Sequence, residues 1–352
     1  HLQFNPGQDL SLLNAMIYTI IEEGLINKDY IKNNTEGFEL LEKEIKDFKP
    51  LLMEKLCGIK ADVIKEVARL YAKSKTSIIF WGMGISQHVH GTQNAFCLIN
   101  LALITGQVGR EGTGLHPLRG QNNVQGASDA GLIPMSYPDY QRVSVNKNQL
   151  EMERFWDVTL DPNEGRTVVE IIEDIASNNI KGLYVQGENP AMSDPDQIHA
   201  RKALAKLEHL VVQDIFMTET AWHADVILPA SAHAEKDGTY TNTNRQIQLG
   251  RAVVETPGNV KQDWWIIQEI AKRMGLNWNY KSPKDIFNEM KFIMPSLDNI
   301  SWERLERDGF VTYPVESEFE LGQDIIFNDG FPTSNKLAKI IPTKLIMPND
   351  EL

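Results

Sequence analysis

Lys181-Gly182-Leu183-Tyr184-Val185-Gln186-Gly187-Glu188-Asn189-Pro190 reads as a strand, Lys181 to Val185, running into a glycine turn. Two further runs end the same way: Leu210-Val211-Val212-Gln213 leads into Asp214, and Ala224-Asp225-Val226-Ile227-Leu228 leads into Pro229-Ala230-Ser231. Helical stretches stand around them, Val168–Ile175 before the first strand and Asp196–Leu207 before the second, with a short polar helical stretch before the third. Short strands separated by helices predict an α/β fold of doubly wound parallel sheets with flanking helices. Ligands of such sheets bind beyond the carboxyl ends of the strands. Polar endings on all three strands give the geometry for a nucleotide, with Asp214 or Glu188 accepting from a purine edge or ribose hydroxyls. The alternative for Asp214 is an N-cap on the following helix, and for Gly187 and Pro190 simply a turn.

Upstream the chain is helix-rich. Leu12, Leu13, Met16, Ile17, Ile20 and Ile21 have the spacing of an amphipathic helix over Asp9–Gly24. Thr35 is expected to open a second helix and Ala61–Ala72 to form a third. Ser77-Ile78-Ile79-Phe80-Trp81 predicts a strand meeting the turn Gly82-Met83-Gly84, and Asn94–Thr105 a helix. Glycines and Pro117 between Gly106 and Arg119 predict an irregular crossing. Downstream, Asp263–Met274 is expected to be helical, with Trp264, Ile267, Ile270, Ala271 and Met274 on one face. Past residue 285 the periodic signals weaken.

Between these regions lies Arg119-Gly120-Gln121-Asn122-Asn123-Val124-Gln125-Gly126-Ala127-Ser128-Asp129. It is too polar for a core strand and too rich in glycine for a stable helix. A guanidinium offers a planar fork of donors that matches a carboxylate or phosphate, and each amide both donates and accepts. A polar, anionic ligand suits such a run.

The length of 352 residues is enough for two or three domains. A net charge of −13 opposes binding of nucleic acid and anionic lipid as a surface effect, so an anionic ligand has to be held by local N–H groups and a few placed cations. The longest apolar runs are far shorter than a membrane span and no targeting segment is evident, so a cytoplasmic protein without membrane insertion is expected. Cys57 and Cys97 form neither a disulfide framework nor a cluster site.

With these residues laid out, the chain resembles the catalytic subunits of the molybdopterin oxidoreductases, and among them the formate dehydrogenase alpha subunits. The matching motifs are Trp81-Gly82-Met83-Gly84, Leu103 to Gly109, Pro117 to Gly126, Tyr137-Pro138, Gly187 to Pro190, Val212 to Phe216 and Ala224 to Pro229. The resemblance implies that Arg119 orients formate and that Met83, Gln87 and Gln121 contact the pterin. It implies a pocket for one guanosine arm built from Gly187, Glu188, Asn189, Ser193, Gln213, Asp214, Ala230 and Asp263. The implied cofactor is bis-molybdopterin guanine dinucleotide with molybdenum or tungsten. The implied partners are formate and electron-transfer subunits linked to NAD, ferredoxin or a quinone.

The family's cysteine cluster for a [4Fe–4S] centre and its cysteine or selenocysteine metal ligand are not in this sequence. An internal fragment of a longer enzyme is therefore expected, with the iron–sulfur centre in a missing region and the isolated chain inactive. The expected division is 1–118 as the helix-rich part of one nucleotide-binding α/β domain and 119–230 as a second. An excursion over 231–262, a return over 263–285 and a loop-rich tail over 286–352 complete it. Two alternatives stay open. One is another molybdopterin reductase, for nitrate or an S- or N-oxide; the other is a non-catalytic scaffold of the same fold, such as a complex I-type subunit. Neither needs the run that follows Arg119.

Overall fold

The computed structural model describes residues 1–345; the end of the expected tail, residues 346–352, lies outside the described residues. The chain folds as two compact units, one of His1–Gln121 with the chain from Gln323 on, the other of Asn122–Gly322. Both are mixed α/β, and each contains a parallel sheet.

In the first unit, helix α1 (Asp9–Glu22) packs against α2 (Pro50–Cys57), α3 (Ala61–Lys73) and α4 (Gly91–Thr105). Surrounded on several sides, it buries Leu10, Leu12, Ala15, Met16, Ile17 and Ile20. Full burial of each of the larger side chains contributes about 1.5–3 kcal/mol. The same helix carries a fully buried amide, Asn14, which has to be paired there. Its Nδ2 donates to Thr343 Oγ1 at 2.8 Å, and Cys97 Sγ lies 3.3 Å from that hydroxyl. Burial pushes the Cys97 thiol up to about 12, so it is an inert core group. Asn100 Nδ2 donates to Ile341 O at 2.8 Å, so two helices hold the returning C-terminal segment by buried polar bonds.

That return explains two departures from the sequence reading. Thr35 is extended (φ −134°, ψ 160°) rather than helical, because strand β1 (Thr35–Glu36) pairs in parallel with Ala338–Lys339. The next helix, Phe38–Glu44, starts only after Gly37, whose φ of +90° and 2.7 Å clearance from Ile340 O exclude a side chain. The second departure lies in the glycine-rich crossing, where Gly114–Pro117 forms a strand, β3, in parallel register with β2 (Ile78–Trp81). Both partners are remote in sequence, so no local pattern announces them. The Gly82-Met83-Gly84 turn also continues as a single helical turn, Met83–Ser86.

In the second unit, β4 (Gly182–Gln186), β5 (His209–Asp214) and β6 (Val226–Pro229) form a parallel sheet in that order. Val185, Leu210 and Val212 are buried in its core. Helix α5 (Val124–Asp129) precedes the sheet, and α6 (Val168–Ala176) packs on α7 (Gln197–Leu204). Asp225 closes the entry to β6, with Oδ2 accepting from Leu210 N at 2.7 Å.

Helix α5 is the second half of the amide run and corrects the expectation that the run is not helical. Its polar groups are spent inside the unit. Asn123 Oδ1 accepts from Thr241 N at 2.9 Å, Gln125 Nε2 donates to Asp129 Oδ1 at 2.7 Å, and Tyr313 Oη donates to Asp129 Oδ2 at 2.6 Å. Tertiary hydrogen bonds override the weak helix propensity.

An antiparallel sheet, absent from the sequence reading, joins β7 (Gly238–Thr241) and β8 (Gln246–Gly250) to β9 (Phe310–Thr312). Ile247, Phe287, Ile300, Leu305 and Val311 form its core. Helix α8 (Asp263–Arg273) buries Ile266, Gln268 and Ala271; of the expected face Ala271 is buried, Trp264, Ile267 and Ile270 are half-buried, and Met274 is 76% exposed. The buried Gln268 amide binds both N–H and C=O of Tyr280, which fixes this orientation. Two further helices follow, α9 (Pro283–Met290) and α10 (Trp302–Asp308), capped by Ser282 and Ser301.

Thr343→Val removes the acceptor of the buried Asn14 amide and is expected to cost about 1–3 kcal/mol of stability. Denaturant titration of both chains measures it; equal midpoints would show that the Asn14 contact does not hold the C-terminal segment.

Candidate functional site

The sequence-predicted residues gather around the carboxyl edges of two of the parallel sheets, β2–β3 in the first unit and β4–β5–β6 in the second. In the first unit, Trp81 and Pro117 are register partners, and Leu118 N donates to Trp81 O at 2.6 Å. Met83 and Arg119 each stand two residues past that pair, so the structure brings them to one sheet edge. Gln87 closes the helical turn after β2 through its N–H to Met83 O, at 2.7 Å. Met83, Gln87, Arg119 and Gln121 are all exposed. Arg119 makes no hydrogen bond or ion pair among the described residues, so its whole fork of donors is available.

In the second unit, Gly187, Glu188 and Asn189 follow β4, Gln213 and Asp214 end β5, and Ala230 follows β6. Gly187 has φ +62°, and no atom lies within 4 Å of the place a side chain would take. Its N–H bonds Gln213 O at 2.9 Å and Ala230 N bonds Asp214 O at 3.0 Å, so all three strand ends are knit into one rim.

Asn189 brackets the rim from the side. Its Oδ1 accepts from Thr220 Oγ1 at 2.8 Å and Thr220 N at 3.1 Å, and its Nδ2 donates to Glu219 at 2.7 Å. That amide bond holds the Glu219 carboxyl below the usual range. Ser193 Oγ reaches Asn189 O at 3.1 Å and Glu188 Oε1 at 3.3 Å. Asp214 turns one oxygen back onto the chain, accepting from Ile215 N at 2.6 Å. No helix starts there, since the next helical turn is Ala221–His223, so the N-cap reading of Asp214 does not hold; its second carboxylate oxygen is left for another donor.

Beneath the rim, Gln213 is fully buried. Its Oε1 accepts from Tyr184 Oη, and its Nε2 donates to Asp263 Oδ1 at 2.7 Å. Asp263 Oδ2 is paired with Lys236, whose ammonium also reaches Ser231 O at 3.3 Å. Burial, and then the negative charge of Asp263, raises the Tyr184 phenol, which stays a neutral donor. Tyr184, Glu219, Thr220 and Lys236 are functional-site neighbours that sequence reasoning missed. Glu219 and Thr220 sit in a polar segment between strands, a visible signal; Lys236 carries none, because its relevance comes from a partner in α8.

A sequence model of the Molybdopterin oxidoreductase family matches residues 1–273, and the chain belongs to that family. Membership implies a molybdopterin cofactor with molybdenum or tungsten. The chain is 46% identical over 98% of its length to the F420-dependent formate dehydrogenase subunit alpha of Methanocaldococcus jannaschii, covering 51% of that protein. It is 37% identical over its whole length to formate dehydrogenase H of Escherichia coli, covering 50% of it. The chain thus spans about half the length of these curated relatives. Acetylene hydratase from Pelobacter acetylenicus shares the fold, with a TM-score of 0.70 at 20% identity over 96% of this chain and 48% of that one. Among the described residues no helix is long and apolar enough to cross a membrane.

Asn189→Ala removes three bonds from the rim. It should lower stability by about 1–3 kcal/mol and return the Glu219 carboxyl towards its ordinary pKa. Thermal unfolding together with NMR titration of Glu219 checks both; a Glu219 titration that does not move would mean Asn189 is no bracket.

Proposed function

We propose that this chain is part of the catalytic subunit of a cytoplasmic formate dehydrogenase, which oxidises formate to carbon dioxide and passes two electrons to partner subunits. The observation that carries this reading is Arg119, an exposed and unpaired guanidinium at a parallel sheet edge, in a run typical of formate enzymes. The 46% identity to a formate dehydrogenase alpha subunit supports it.

In this reading the cofactor is bis-molybdopterin guanine dinucleotide, which when bound supplies a metal able to take up two electrons. Met83, Gln87 and Gln121 contact the pterin. Gly187, Glu188, Asn189, Ser193, Gln213, Asp214, Ala230 and Asp263 form the pocket for one guanosine arm. Several features support the fit. The open space over Gly187 lets a ligand approach the backbone closely. The second oxygen of Asp214 can accept from a base N–H or a ribose hydroxyl. The Ser231 hydroxyl is buried beside the rim and makes no hydrogen bond among the described residues.

Arg119 does its work by position. Its charge is fixed at any working pH, and its planar fork grips both formate oxygens, so the carboxylate is held with the C–H bond aimed at the acceptor. Positive charge near the carboxylate also favours binding of the anionic substrate. Oxidation removes a proton and two electrons from formate and leaves neutral carbon dioxide, which the guanidinium holds only weakly, so product is released.

Arg119→Ala in the full-length enzyme should lower kcat/KM for formate by about a hundredfold or more, the loss of a bidentate charge-assisted pair, with metal and pterin content unchanged. Unaltered formate turnover would remove Arg119 from the reaction, and a full-length wild-type protein that turns over no formate would leave the scaffold reading in its place.

A further inference from the structure

We infer that Lys236 is the cation with which the second unit holds the phosphates of its nucleotide, an inference that rests on the nucleotide pocket described above. The strand ends bring carboxylates to this rim: Glu188, Asp214, Glu219 and Asp263. A diphosphate entering among them meets like charge at every side, and backbone N–H groups alone do not offset it. A placed cation is required.

Three cations lie close by. Lys261 pairs its backbone with Ala230, and its ammonium lies over the Trp265 ring at 5.6 Å. Arg201 donates Nε to Ala191 O at 2.7 Å and, after the Asn189 bond, helps lower the Glu219 carboxyl through its charge, so it is engaged with the bracket. Lys236 lies at the rim itself. Its ammonium touches Asp263, which is bonded to Gln213 at the end of β5, and the carbonyl of Ser231, just past the end of β6. Those two acceptors use two of its three protons, and the third is left for an anion.

The ammonium is also held ready. Gln213 fixes one oxygen of Asp263, and the other fixes Lys236, so little side-chain freedom is lost when an anion binds. The lysine side chain is 28% exposed, reachable yet partly shielded from water, and its charge acts more strongly there than on an open surface. Lys236 and Asp263 line a cavity of about 220 Å³ whose far wall includes Trp264, Phe287 and Met290. This space is too small for a nucleotide, for which pockets of about 300–1,000 Å³ are usual. Gly187, Asn189 and Asp214 are not among its lining residues, so the base is not seated there.

The test is calorimetric titration of the 352-residue chain with guanosine diphosphate and, separately, with guanosine. Wild type should bind the diphosphate more tightly. Lys236→Met should weaken diphosphate binding by about ten- to a hundredfold, leave guanosine binding unchanged and flatten the salt dependence. Lys236→Arg should restore most of the affinity. Because Lys236→Met leaves the Asp263 charge uncompensated, the comparison is repeated on an Asp263→Asn background, which keeps the bond to Gln213 without that charge; relative to Asp263→Asn alone, the double variant Lys236→Met/Asp263→Asn should lose diphosphate affinity by the same factor at equal guanosine affinity. If the double variant binds the diphosphate as Asp263→Asn does, or if Lys236→Met weakens both ligands alike, Lys236 serves only as the structural partner of Asp263 and the inference is overturned. A wild-type chain that binds neither ligand overturns the nucleotide pocket itself, and the role of Lys236 falls with it.

Discussion

The second unit depends on one buried amide. Gln213 sits on the central strand of the parallel sheet with no exposure, where an unpaired donor or acceptor costs about 1–3 kcal/mol. Satisfying both ends of this side chain fixes its neighbours. Tyr184 must come across from β4, and the first residue of α8, Asp263, must sit below the strand ends. A carboxylate placed there needs a counter-charge, which draws Lys236 inward and with it the link between β6 and the antiparallel sheet. The polar chain from Tyr184 to Lys236 thus ties elements from residues 184 to 263 to a single strand end. Each member is held by its neighbours, so the strand ends and the groups beneath them are positioned together.

The first unit solves a similar problem differently. Its core is built around α1, which is apolar enough to be enclosed by three helices, and the one buried amide on that helix recruits Thr343. The hydroxyl closes the unit at its sequence extremes, and β1 pairs with Ala338–Lys339 on the same principle. With the core fixed in this way, the two-stranded parallel sheet needs little of its own. It serves to deliver Met83 and Arg119 to one edge, side by side.

Much of the candidate site was legible along the chain. Apolar runs ending in Gly187, Asp214 and Ala230 are a strand pattern followed by turn chemistry, and both signals are local. The amide run was legible as ligand-suited only in part. Arg119 and Gln121 are exposed, whereas Asn123 and Gln125 spend their amides on Thr241 and Asp129. Nothing in their types separates the two halves, since an amide that binds a ligand and one that binds a strand are the same group. Helices α9 and α10 carried a readable sign in Ser282 and Ser301, the capping serines, but weak apolar periodicity hid it. Strand β3 and the pairing of Thr35 had no local sign at all.

By itself the sequence determined the parallel α/β character, the strand tips and the identity of the groups there, because periodicity and turn preference act over a few residues. Only the tertiary structure decided which groups are free. It turned one oxygen of Asp214 back onto its own chain and occupied both ends of Asn189 and Asp263. It left Arg119 unpaired and moved Lys236 to the rim. Hydrogen-bond partners lie tens to hundreds of residues apart, and their choice follows from burial, which a linear pattern does not contain.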